Sequence, residues 1–334
     1  MRKATAKGFL DVRNILDRVG NYSFMRILGV NISHNPSICV YENGKVKKFY
    51  NEERFILKKN TQLSYEPFEL FQSIHQKINF KIDTVCYASF GRNRVYNPLS
   101  DNDIINTLQK QLNFPNYYFN EKEHHLYHAV SSFYFSEFDE AVAIVVDGGG
   151  ACKFFIPYEE IESIYLINNK KVLPVYKHQT NERSNFDAEN VVSFESFEYK
   201  HGYLNKFSNK LMGGSLFTAT CKKTGFVDGN DAGKLMGLAS YANCDQKYDL
   251  DYDKVNAAQE TQQKTFNDTC LLIDRAKGYS KNILLSGGYF LNCSNNFKYV
   301  KKYPELNFFV DPIPHDPGTA IGAAIYYDNY KRRI

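Results

Sequence analysis

Two apolar runs in this chain end in the same way, and that repetition restricts the fold more than any other feature. AVAIVV (141–146) breaks at Asp147 into Gly148-Gly149-Gly150, and ILL (283–285) breaks at Ser286 into Gly287-Gly288. Short apolar runs bounded by glycine read as buried strands. A strand that ends in glycines ahead of a turn or helix brings bare backbone N–H groups up to a phosphate. The chain therefore reads as α/β. It carries a coarse repeat: a strand–hairpin opening, then helices, then a strand ending in a polar residue and glycines.

The remaining elements follow from periodicity and turn chemistry. Residues 27–32 and 37–43 read as strands, and Asn43-Gly44 turns the second into a third at 46–50. Strands are also predicted at 82–90, 161–167, 172–177 and 308–310. Helices are predicted at 52–58, 67–78, 104–112, 123–134, 202–224, 254–277 and 317–330, the last with Pro317 near its start. Residues 179–199 are polar and irregular and read as a loop. Residues 1–24 stand apart as an N-terminal extension, and the body is expected at 25–334, with approximate subdomains 25–170 and 171–334.

Composition removes several classes. The 334 residues are enough for a sizeable core, and 43% hydrophobic against 23% charged is the balance of a globular protein. The longest unbroken apolar stretch is the six residues 141–146, far short of the roughly 20 that a membrane span needs. The basic N-terminus lacks the apolar segment of a secretory signal. Seven cysteines without a CxxC pair point to a reducing, cytoplasmic setting. A net charge of +4 is too small to indicate nucleic-acid binding by itself, and the short lysine clusters read as solvated faces.

Six constellations can carry chemistry. His124 and His128 are four apart, so a helix puts both on one face, where they can grip one metal ion or be unrelated surface histidines. Asp147 leaves a buried strand beside glycines; it can face a metal or phosphate, or bond its own backbone as a turn aspartate. Asp231 and Lys234 stand in DAGKLMGLA, where the lysine can meet a phosphate or acyl oxygen and the aspartate can simply cap a helix. SGGYFLNC (286–293) and HDPGTAIGAA (315–324) offer glycines that let a nucleotide approach the backbone, and Asp316 just before Pro317 is either a site residue or an N-cap. Asn31, Ser33 and His34 follow the first strand, with Glu52-Glu53-Arg54 after the hairpin; His34 is a candidate general base or an ordinary turn histidine.

Taken in order, these blocks resemble one family. GVNISHNPS, NEERF, HHLYHAVSSFYFSEFDEA, VVDGGG, GSLFTAT, GKLMGLASYA, SGGYFLNC and PIPHDPGTAIGAA are similar to the N-terminal (Kae1-like) domain of NodU/CmcH-type O-carbamoyltransferases, relatives of the tRNA threonylcarbamoyl-transfer proteins. The resemblance runs from about Ile27 to Tyr330. It implies an ASKHA (actin/sugar kinase/Hsp70-like) fold, two α/β subdomains with a nucleotide and metal cleft between them.

The resemblance also implies roles. His124, His128, Asp147 and Asp316 fall on the family's metal ligands, a set that accepts iron, zinc or manganese. His34 corresponds to the active-site histidine. Asp231 and Lys234 match the segment lining the acceptor and carbamoyl site. Gly148, Gly149, Gly287, Gly288, Asn292, Gly318 and Thr319 fall in nucleotide-facing turns. The implied chemistry takes carbamoyl phosphate and ATP to a carbamoyl-adenylate and passes the carbamoyl group to an acceptor hydroxyl, on a small molecule or on a nucleotide or nucleic-acid base. Full-length relatives carry a C-terminal YrdC-like domain that makes the adenylate. It is absent from this sequence, so either a separate YrdC-like subunit supplies it as a partner, the chain is a fragment, or the activity is altered; a second copy of the chain is another expected partner. The competing readings are a tRNA threonylcarbamoyl-transfer protein and a non-catalytic nucleotide- and metal-binding regulatory subunit. The chain departs from the family at HNPS, at 151–199 and after Asp147.

Overall fold

A computed structural model describes residues 25–33, 35–57, 81–89, 100–114, 116–150, 152–153, 156–180, 194–227, 229–243 and 250–332. The N-terminal extension, the helix expected at 67–78 and His34 lie outside the described residues.

The first sheet is built from the predicted hairpin. β1 (Arg26–Asn31), β2 (Ser37–Glu42) and β3 (Lys45–Asn51) are antiparallel neighbours. Asn43 and Gly44 make the tight turn, both at positive φ (53° and 75°), as the strand twist of a two-residue hairpin requires. Gly44→Ala is expected to destabilise the chain by about 1 kcal/mol, read from denaturant midpoints, because alanine adopts that conformation only under strain. A short helix, α1 (Glu52–Ile56), follows, with Asn51 accepting from the Glu53 N–H at its start. β4 (Thr84–Ala88) and β5 (Tyr117–Phe119) then add in parallel, separated by α2 (Asp101–Leu112), which a reciprocal Ser100–Asp103 capping box starts. The order is β3-β2-β1-β4-β5.

The second sheet repeats that order. After α3 (His124–Ser136), β6 (Glu140–Val146) pairs antiparallel with β8 (Ile156–Asn168), and β8 pairs antiparallel with β9 (Val172–Thr180). A two-residue strand, β7 (Cys152–Lys153), pairs with β8. β12 (Asn282–Ser286) and β13 (Asn307–Val310) add in parallel on the other side of β6. The core order β9-β8-β6-β12-β13 matches the first sheet strand for strand. This duplicated arrangement is the ASKHA fold. The second sheet also carries β10 (Glu195–Lys200) and β11 (Tyr203–Ser208) at its outer edge.

Three expectations need correction. Glu195–Lys200 is a strand rather than loop; Phe197 and Tyr199 alternate with polar residues there, but as an edge strand it is exposed at all six positions. Tyr203–Ser208 is a strand rather than the start of a helix, because His201 and Gly202 both take positive φ (55° and 85°) and turn the chain into a hairpin. The helix begins later, as α4 (Gly213–Lys223). A division near residue 170 would cut the β8–β9 hairpin; the second sheet begins at Glu140, directly after α3.

β6 is buried on both faces, and its two alternate sets of side chains serve two different cores. Ala141, Ala143 and Val145 join a central layer with Ile27, Cys39 and Cys86 of the first sheet, Tyr127 and Val130 of α3, and Ala320 and Ala324 of α8 (Pro317–Tyr326). Val142, Ile144 and Val146 face a layer formed by α4, α5 (Ala232–Ala239), α6 (Tyr252–Ala276) and α7 (Cys293–Lys302). Helices α3 and α8 thus lie between the two sheets. They approach closely because Gly322 has no side chain: a Cβ there would stand 1.9 Å from the Tyr127 carbonyl oxygen. Gly29 does the same for α8 on β1, where a Cβ would meet the Ala320 oxygen at 1.9 Å.

Candidate metal centre

Four of the sequence-predicted residues meet where the central elements end. His124 and His128 sit one turn apart on α3, Asp147 follows β6, and Asp316 precedes α8. One ligand atom from each lies within 4.8 Å of the others, and all four residues are buried.

Three of the four donors are aimed by a contact at their other end. The Ser89 carbonyl accepts from His124 Nδ1 at 3.2 Å, which turns Nε2 to the carboxylates, hydrogen-bonded to Asp147 Oδ2 at 3.2 Å and 3.7 Å from Asp316 Oδ1. His128 Nε2 lies 3.4 and 3.9 Å from the same two oxygens, and among the described residues neither of its ring nitrogens has a hydrogen-bond partner. Asp147 Oδ1 accepts from the N–H groups of Gly148 (2.8 Å) and Gly288 (3.2 Å), so Oδ2 turns to the histidines. Asp316 Oδ2 accepts from Ser33 Oγ at 2.5 Å, so Oδ1 turns inward. The Asp316 side chain does not cap α8. Likewise Asp147 bonds a backbone N–H with one oxygen only and offers the other to the cluster.

The electrostatics follow from this packing. Burial opposes the charge on Asp147, but His124 and His128 outweigh it and hold the carboxyl well below the ordinary range. Burial also opposes a charged His124, yet Asp316 and Asp147 raise its imidazole above the ordinary value. Two carboxylate oxygens facing two imidazole nitrogens, one imidazole orphaned and fully buried, is an arrangement a divalent cation completes. The donor set fits iron, manganese or zinc and does not select among them.

The glycine turns lie against the cluster. Gly287 takes φ 97°, and a Cβ on it would stand 2.2 Å from the Val146 oxygen, so the two strand ends of the second sheet touch there. A Cβ on Gly318 would strike the Ile313 oxygen at 2.2 Å. Thr319 Oγ1 donates to the Asp316 carbonyl at 2.6 Å. Asn292 points its side chain inward: it accepts from the Asn295 N–H at 3.1 Å to start α7 and exchanges hydrogen bonds with Gln262. Asp231 and Lys234 pair with each other at 2.6 Å rather than joining the four, and the Lys234 side chain is 67% exposed.

Sequence reasoning missed a buried polar row beside the centre. Lys177 Nζ stands 3.0 and 3.1 Å from the two oxygens of Glu160. Ser163 Oγ contacts Glu160 Oε1 and lies 2.9 Å from His125 Nδ1. Burial disfavours the charge on Glu160, but Lys177 and His125 outweigh it and lower its value. Burial pushes His125 down to about 4. On the same two strands, Glu162 Oε2 lies 2.8 Å from His178 Nδ1, and His178 Nε2 lies 2.8 Å from Ser208 Oγ of β11. The available signal was two glutamates, Glu160 and Glu162, on either side of Ile161 at the start of a mostly apolar strand, IESIYLI (161–167).

A family model described as carbamoyltransferase N-terminus matches residues 85–269 and 265–325. This chain belongs to that family. The carbamoyltransferase N-terminus match spans α3, Asp147 and Asp316, and so includes all four clustered residues. The chain is 25% identical over 321 residues to an uncharacterized protein of Methanocaldococcus jannaschii, covering 90% of this chain and 56% of that relative. Full-length HypF in its phosphate- and nucleotide-bound form superimposes with a TM-score of 0.57 at 14% identity, over 92% of this chain and 56% of HypF. HypF of T. kodakarensis gives 0.55 at 15% identity, over 92% and 48%. At these identities the HypF likeness shows the fold. The chain spans about half the length of these relatives. Among the described residues no helix is long and apolar enough to cross a membrane.

Proposed function

We propose that this chain is the transfer half of an O-carbamoyltransferase, moving a carbamoyl group from carbamoyl-adenylate to an acceptor hydroxyl. The observation that carries the reading is the buried His124/His128/Asp147/Asp316 cluster within a chain of the carbamoyltransferase N-terminus family. A divalent metal held by these four would neutralise phosphate charge and orient the adenylate.

The chain's own residues have distinct tasks in this reading. The turns at Gly148-Gly149, Gly287-Gly288 and Gly318-Thr319 present backbone to the nucleotide, with Asn292 holding the second turn from behind. His34 takes the proton from the acceptor hydroxyl as its oxygen attacks the carbamoyl carbon. The bond from that carbon to the adenylate oxygen breaks, and AMP leaves. Lys234, aligned by Asp231, faces the developing oxyanion. The carbamoyl-adenylate itself comes from carbamoyl phosphate and ATP on a YrdC-like activation unit.

The test uses the adenosine ester of phosphonoacetamide, a hydrolysis-resistant stand-in for carbamoyl-adenylate. Calorimetry on the metal-loaded chain is expected to show saturable one-to-one binding that His128→Ala removes. Absence of binding to the wild-type chain overturns the reading. In a second arm, AMP release from ATP and carbamoyl phosphate is expected only when a YrdC-like protein is added. Release by the chain alone would place activation within these 334 residues.

A further inference from the structure

We infer that His125, between the two metal-ligand histidines, recognises the amide N–H of the carbamoyl group by accepting its hydrogen bond at Nε2. The inference deepens the transfer reading and rests on it.

The argument starts at Lys177. Its Nζ lies 3.0 and 3.1 Å from the two oxygens of Glu160, so Glu160 is a carboxylate and can only accept. Ser163 Oγ donates its single proton to Glu160 Oε1. Towards His125 the same hydroxyl can therefore only accept, and His125 Nδ1, 2.9 Å away, carries the ring hydrogen. His125 is fully buried beside the rings of His124 and His128, where an added charge is costly, so the ring is neutral and a hydrogen on Nδ1 leaves Nε2 as a bare lone pair. Among the described residues Nε2 has no hydrogen-bond partner. A buried acceptor without a donor is unfavourable, and in a native fold it calls for an explanation.

Its position supplies one. The Nε2 edge of the ring faces Gly150, the last glycine of the turn that begins at Asp147. A Cβ at 150 would lie 2.9 Å from Nε2 and 2.8 Å from Cδ2, so any side chain there would cover that edge. The ring also packs beside both ligand histidines, with centroids 5.9 and 6.4 Å away. The lone pair thus lies beside the metal cluster, at the turn that presents backbone to the ligand.

The chemistry selects one kind of group. An activated carbamoyl ester presents oxygen acceptors everywhere except at its amide, which is its sole donor near the reacting carbon. An imidazole lone pair attracts that N–H and repels a carboxylate or phosphate oxygen. A pocket built to hydrogen-bond an N–H strongly rejects the analogue that lacks it. His125 would then distinguish carbamoyl from acetyl, two groups of nearly equal size.

The test compares the adenosine ester of phosphonoacetamide with that of 2-oxopropylphosphonate, in which CH3 replaces NH2. The metal-loaded wild-type chain is expected to prefer the amide on the order of 100-fold. His125→Phe, which keeps an aromatic ring there, is expected to bring the ratio close to one with bound metal unchanged. His125→Gln, which can return a carbonyl oxygen near the Nε2 position, is expected to restore part of it. Histidine 15N spectra give an independent readout: the His125 Nε2 resonance should shift with the amide ligand and not with the methyl one. Equal wild-type affinity for both ligands overturns the inference alone, as does a preference that survives in His125→Phe. Binding of neither ligand overturns the transfer reading first. The wild-type comparison depends on no variant folding.

Discussion

Asp147→Ala is expected to weaken metal binding by more than about 100-fold, since even residues behind the ligands cost 10–100-fold when changed. The four-donor set loses the carboxylate that both imidazoles approach more closely, at 3.2 and 3.4 Å against 3.7 and 3.9 Å for Asp316. Metal content after dialysis, read by elemental analysis, checks this; wild-type stoichiometry in the variant would show that the cluster is not a metal centre. The wild-type chain should also show a characteristic pH dependence. His124 is raised above the ordinary imidazole value in the metal-free chain. The stability that this contributes is fully present below the unfolded value of about 6.5 and is lost as pH rises through the folded value. A metal ion needs the neutral ring, so it competes with that proton. The gain in Tm on adding metal should therefore be small near pH 5.5 and grow towards pH 8, by about these benchmarks. Asp147 is depressed well below its ordinary range. Its contribution is lost only on acidification through its lowered value, beneath this window, and does not blur the result.

What the sequence revealed and what it hid follow from how each feature is encoded. The duplicated sheet order was legible because β6 and β12 are short apolar runs closed by glycine, and because Asn43-Gly44 fixes a hairpin. His124 and His128 were legible because helical spacing alone puts them on one face. The pairing of Asp147 with Asp316 was available only from the family resemblance, since 169 positions separate them and chain order says nothing of their distance. Ser33, which anchors Asp316 at 2.5 Å, stood beside a candidate histidine, but its partner lay at the far end of the chain. The row from Lys177 to His125 was hidden more deeply. Its members come from β9, β8 and α3, and each is unremarkable in its own segment. β10 was lost because only Phe197 and Tyr199 alternate in a stretch that is otherwise polar and wholly exposed, and β11 because its turn rests on His201 at positive φ.

Gly322→Ala is expected to damage stability and metal affinity together, and the coupling is the informative part. A Cβ at 322 would lie 1.9 Å from the Tyr127 oxygen and 2.6 Å from the Tyr127 carbonyl carbon, both backbone atoms that no rotamer change can move. Helices α3 and α8 would have to separate. Overpacking of a rigid core costs typically about 1–3 kcal/mol, and a backbone–backbone clash belongs at or above the upper end, about 3 kcal/mol or more. The same two helices carry three of the four clustered side chains: His124 and His128 on α3, next to Tyr127, and Asp316 at the start of α8. Pushing the helices apart therefore widens the gap between Asp316 Oδ1 and the imidazoles, now 3.7 and 3.9 Å, while Asp147 remains fixed by the Gly148 and Gly288 N–H groups. Gly29→Ala is the matched control. It displaces α8 from β1 by an equally close contact with the Ala320 oxygen, but leaves the Tyr127–Gly322 crossing untouched. Both variants should unfold at lower denaturant, and Gly322→Ala should show the larger loss of metal affinity per unit of stability lost. Equal losses in the two would mean that the helix crossing does not set the ligand spacing.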